Sequence, residues 1–128
     1  MSQIVKLKKN GVEVNPIGIQ TVENANGTAI KFPDGIMICH DKKDMACTFS
    51  AFEGTYRADI TNPFVFPIPF VSKPTINIST ASDKDYYYAS IYGVIRNATG
   101  ISKISVIRPA SATNGTMPLQ YIAIGRWK

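Results

Sequence analysis

The stretch of this 128-residue chain best suited to chemistry is SDKDYYYASIYG, residues 82–93. It sets carboxylates beside a run of tyrosines. A tyrosine offers a flat, rigid ring and a hydroxyl at small cost in side-chain entropy. The C–H faces of sugars stack on such rings, and Asp and Arg make charge-assisted hydrogen bonds to hydroxyls. The residues that could build a site of this kind are Asp83, Asp85, Tyr86, Tyr88, Arg96 and Arg126. In a strand Tyr86 and Tyr88 face one way and Tyr87 the other. One of these sets must therefore enter the core or a subunit interface. Half-buried strand tyrosines and ordinary surface charges account for the same residues without a ligand.

Catalysis fits poorly. His40 is the only histidine, and no G-x-S-x-G motif accompanies it. A hydrolytic triad needs a histidine beside a nucleophile and a carboxylate, with an oxyanion hole. Glycosidases need two carboxylates at a set separation. Asp34, Asp41, Asp44, Glu53, Asp59, Asp83 and Asp85 mostly fall in predicted turns, where aspartate serves turn geometry. Cys39 and Cys47 are too few for a disulfide scaffold, and one histidine without a CxxC argues against a closed zinc site. The cysteines read as small buried residues. A non-catalytic chain without metal or cofactor is expected.

Composition narrows the partners. Hydrophobic residues make up 45% of the chain and charged residues 18%, below the usual share of about 25%. Such a surface suits neutral polar ligands better than ions. The formal net charge of +5 could attract a polyanion. Yet the basic residues are dispersed and not interleaved with aromatics, so no nucleic-acid surface is expected. No apolar signal region opens the sequence, and no stretch approaches the ~20 apolar residues of a membrane helix. A protein made in the cytoplasm, without membrane insertion, is the expectation.

The elements that must position these residues are strands. Residues 4–9 alternate apolar and basic, Asn10-Gly11 makes the strongest short hairpin signal, and 12–14 return. Residues 17–22 alternate again before the loop residues 24–28. Pro33-Asp34-Gly35 turns between two further strands. Residues 41–44, DKKD, read as another turn, and 54–62 as less regular. PFVFPIPF, residues 63–70, carries three prolines and reads as an edge strand or extended arm. TINIST, residues 75–80, alternates cleanly. Residues 86–97 form a long strand with Gly93 as a bulge, 101–109 another, and 110–118 a polar loop. In LQYIAIGRW, Leu119, Tyr121, Ala123, Gly125 and Trp127 share one face, and Gln120, Ile122, Ile124 and Arg126 the other. Apolar residues on both faces mark a central strand, or one half covered by a neighbouring subunit. Trp127 reads as packing. No window shows a helical period. The whole predicts an all-β, antiparallel β-sandwich. A short N-terminal β-hairpin arm, residues 1–23, precedes a sandwich domain, residues 24–128. The arm reads as an oligomerisation or attachment element.

Several stretches resemble known proteins. NANGTAIKFPDGIMIC, the opening MSQIVKLKKNG and the close YIAIGRWK are similar to segments of bacteriophage and prophage tail and baseplate proteins. PFVFPIPFVSKPTINI resembles the aromatic-Pro-Phe … Pro-Thr-Val strand of H-type lectin-like sandwich domains. One departure is CHDKKDMAC, where His40 and Asp41 follow Cys39 in place of the Trp or Tyr common in the relatives. The resemblance implies a receptor-binding component of the virion at the tail tip, a homotrimer recognising a host-surface glycan. It also implies contacts with other tail proteins. The rival expectation is a purely structural tail or baseplate protein.

Overall fold

The computed structural model describes residues 7–9, 12–14, 18–80, 90–109 and 115–128. Every regular element among them is a strand. Two antiparallel sheets pack face to face around one apolar core, the sandwich that the alternation predicts.

The chain begins as a meander. β1 (Leu7–Lys9) and β2 (Val12–Val14) are joined across Asn10-Gly11, with Lys9 opposite Val12. β3 (Gln20–Asn24) pairs with β2 and with β4 (Gly27–Lys31). The Asn24 side chain accepts the Asn26 amide at 2.8 Å in the turn between them. The Pro33-Asp34-Gly35 turn then closes with the Asp34 carboxylate accepting the Ile36 amide at 3.0 Å. Gly35 takes φ +102 there, where a Cβ would strike the Arg126 guanidinium. Pairing is continuous from β1 onward, so residues 23 and 24, the expected domain boundary, both lie inside β3. Among the described residues, β1 and β2 approach only each other and β3.

β5 (Ile36–Cys47) corrects the reading of residues 41–44 as a turn. It runs unbroken and pairs with β11 (Gly115–Arg126) along its full length, from Ile36↔Arg126 to Cys47↔Gly115. DKKD contains no Gly, Pro or Asn to reverse the chain, and its residues keep the two-residue alternation. His40, Lys42 and Asp44 face outward, while Asp41, Lys43 and Met45 are half-buried. The inward Lys43 ammonium lies 5.5 Å from the Phe64 ring centre, an arrangement that tolerates a cation beside an aromatic. The polar loop expected over 110–118 is likewise shorter, because 115–118 belong to β11 and Met117 is fully buried. Cys39 and Cys47 sit eight residues apart on one strand, roughly 26 Å. Both are buried free thiols, and burial raises the Cys39 thiol to about 11.

The second sheet has the order β6-β7-β10-β9. β6 (Ser50–Phe52) and β7 (Thr55–Val65) form a hairpin, followed by β9 (Ser90–Arg96) and β10 (Gly100–Arg108). Residues 54–62, expected to be irregular, form the body of β7, with Ala58 and Ile60 inward and Asp59 outward. β6 reaches only Thr55–Arg57 of β7. Pro63 therefore lies on a locally open edge, as proline requires. The chain then crosses to the first sheet in an extended segment pinned by Phe66 N→Thr99 O, Phe70 N→Ala98 O and Val71 N→Arg126 O. β8 (Thr75–Thr80) follows and pairs with β11.

β11 is therefore flanked by β5 on one side and β8 on the other, as its two apolar faces predict. Its inward Tyr121 is 1% exposed and meets Phe64 edge-on, with ring centres 4.7 Å apart. Among the described residues the Tyr121 hydroxyl has no hydrogen-bond partner, and burial pushes its pKa up. Trp127 packs against the core and donates its indole N–H to the Phe32 carbonyl at 2.8 Å.

Candidate functional site

The pairing registers of the seven-stranded sheet assemble an outward-facing site. Thr28 lies opposite His40, His40 opposite Ile122, and Ile122 opposite Asn77. The next outward row sets Lys42, Gln120 and Ser79 side by side. These residues line an open groove of about 530 Å³, bordered also by Asp41 and Tyr121. That volume falls in the range of small-ligand clefts, roughly 300–1,000 Å³.

The chemistry of the groove is hydrogen bonding. Hydroxyls come from Thr28 and Ser79, amides from Asn77 and Gln120, and an imidazole from His40. Gln120 Nε2 donates to Ser79 Oγ at 2.7 Å, which orients both. Ile122 is 51% exposed in their midst and supplies an apolar floor. Lys42 adds a cation at one end. Such a mixture suits a ligand with many hydroxyls and apolar C–H faces. Among the described residues, no three His, Cys, Asp or Glu side chains gather as metal ligands would.

Of the residues expected from the sequence, Arg96 and Arg126 do not line this groove. Arg96 donates from Nε to the Pro74 carbonyl at 2.8 Å. Arg126 donates to the carbonyls of Asp34 at 2.8 Å and Lys128 at 3.2 Å. Both arginines tie backbone at the end where β8 begins, since Thr75 pairs with Ile124. Asp83, Asp85, Tyr86 and Tyr88 lie outside the described residues. The groove escaped sequence reading because its residues come from four strands scattered between positions 28 and 122. The available signal was the alternation of β11, which places Gln120 and Ile122 on the face away from the core.

No family model matches the chain, and no curated protein matches it. Its fold is similar to a solved structure of the P. aeruginosa R1 pyocin fiber comprising C-terminal residues 323–701. The TM-score is 0.50 at 15% sequence identity, covering 80% of this chain. The chain spans about a quarter of that fragment, 26% of its length. At this identity the likeness is one of fold.

Proposed function

We propose that this chain is a module of a phage-type tail fibre that recognises a host-surface glycan without catalysis. The observation that carries the reading is the fold likeness to the pyocin fiber fragment over 80% of the chain. The phage-tail character of NANGTAIKFPDGIMIC and YIAIGRWK supports it. The likeness of residues 63–78 to H-type lectin-like sandwiches supports the carbohydrate ligand. The groove is a suitable place to bind it: its hydroxyls and amides match sugar hydroxyls, and Ile122 matches a C–H face. In this reading the protein is made in the host cytoplasm, assembles as a homotrimer and sits at the tail tip beside other tail proteins.

The test is a glycan array and a host-cell binding assay with the whole chain. Saturable binding is expected. The double variant Asn77→Ala, Gln120→Ala should weaken it at least about tenfold, the effect of losing ~1.4 kcal/mol of hydrogen bonding. A second reading, a structural tail piece, is favoured by the β1–β2 hairpin, which stands clear of the four-stranded sheet. No glycan or cell binding, together with firm binding to a tail protein that is lost on removing residues 1–14 and so leaving β3 intact, would establish that second reading instead.

A further inference from the structure

We propose that the outer face of the four-stranded sheet holds a second ligand site, centred on Tyr92, Gly93 and Arg57, for a pyranose carrying a carboxylate. Ile91 and Val94 both pack against the core. They are three positions apart, an odd spacing that strict alternation would put on opposite faces, so the strand must bulge. The register shows where: Gly93 pairs with Ser105 and Ile91 with Val106, which leaves Tyr92 as the extra residue. A bulge of this kind turns two successive residues toward the same face. Tyr92 is accordingly 54% exposed, and a Cβ on Gly93 would meet nothing within 4 Å. The result is a bare patch of backbone beside an aromatic ring that reaches across the sheet to meet Phe52 edge-on, with ring centres 5.8 Å apart.

The rim of that patch is charged and already ordered. The Arg57 guanidinium lies 4.9 Å from the Phe52 ring centre and 5.3 Å from that of Tyr92. Its Nε donates to Asp59 Oδ1 at 2.7 Å, and the Ser105 hydroxyl donates to the same oxygen at 2.7 Å. Lys103 approaches the other Asp59 oxygen at 3.6 Å. Two cations against one carboxylate leave a net positive charge. Asp59, its acceptor capacity largely filled by these donors, has little left for sugar hydroxyls. An incoming carboxylate is therefore drawn to Arg57 and Lys103, while a pyranose ring lies over Gly93 against the face of Tyr92 turned from the Arg57 guanidinium.

This site extends the carbohydrate reading to a second face, and its test is separable from the groove. Backbone amide NMR of the full chain is followed while methyl glucuronide, or methyl glucoside as its neutral counterpart, is added. Saturable shifts are expected at Gly93, Ser105 and Lys103 with the glucuronide, about tenfold tighter than with the glucoside. Gly93→Gln, whose side chain has open space to occupy, should abolish them while the remaining spectrum stays native. Asn77→Ala, Gln120→Ala should leave them unchanged. The proposal is overturned by the absence of shifts at these amides, by shifts confined to His40 and Gln120, by equal response to both sugars, or by shifts surviving Gly93→Gln.

Discussion

The two outer faces of the sandwich are built by opposite means. On the seven-stranded sheet, β5 and β11 keep one register through their whole length. The groove arises because outward side chains from neighbouring strands fall into straight rows. On the four-stranded sheet, the register shifts between Ser105 and Val106 and again between Ile101 and Lys103. There the surface is made by breaks, at Tyr92 and at Ser102. Rows give a broad floor of independent hydrogen-bonding groups. Bulges give a small ledge whose charges are cross-linked by Arg57, Asp59 and Ser105. A regular ladder spreads polar groups, whereas an irregular one concentrates them.

The sharpest way to break this contrast is to exchange aromatics. Tyr121→Ala removes the ring beneath the groove and should cost about 3–5 kcal/mol in denaturant unfolding, as for other large buried side chains. Tyr92→Ala should cost less than about 1 kcal/mol, because more than half of the residue is already in solvent. Next come the glycines of the bulged sheet. A Cβ at Gly100 would stand 2.6 Å from the Phe64 carbonyl oxygen. Gly100→Ala should therefore lower stability by about 1–3 kcal/mol through backbone displacement, while Gly93→Ala should stay within about 0.5 kcal/mol.

Titration separates the interior from the ledge. Burial raises the Cys39 thiol from 9.0 to about 11. A raised folded-state pKa stabilises fully below the unfolded value and is lost as pH rises through the folded one. Stability should hold up to about pH 9 and decline toward pH 11, and Cys39→Ala should flatten that decline. Tyr121 shifts in the same direction for the same reason. Asp59 behaves oppositely, because the Ser105 and Arg57 hydrogen bonds lower its pKa from 3.8. Its contribution is present above that value and fades as pH falls below it. The difference between wild type and Asp59→Asn in acid unfolding should be the smallest effect of the series, given an exposed pair.

Much of this architecture was legible where single residues dictate backbone geometry. Pro33-Asp34-Gly35 marks a turn in which Gly35 takes a positive φ that few other residues adopt, and the expected break near Gly93 falls at its neighbour Tyr92. The central place of β11 followed from apolar residues on both faces. The DKKD segment misled because charge resembles turn chemistry, yet alternation and the β11 ladder decide its conformation. Neither outer face could be assembled from the sequence. The groove needs four registers, and the Arg57–Asp59–Ser105 network joins residues nearly fifty positions apart. Arg96 and Arg126 bond the carbonyls of Pro74 and Asp34, partners that a sequence does not show.

The placement of β11 carries a mechanical consequence. A tensile load applied at Lys128 along the strand axis would act in shear on two ladders at once, against β5 from Ile36 to Cys47 and against β8 from Thr75 to Thr80. Shear must break many hydrogen bonds together, whereas peeling an edge strand such as β1 breaks them in succession. Pulled from that end, the sandwich would resist as a unit until both seams gave way.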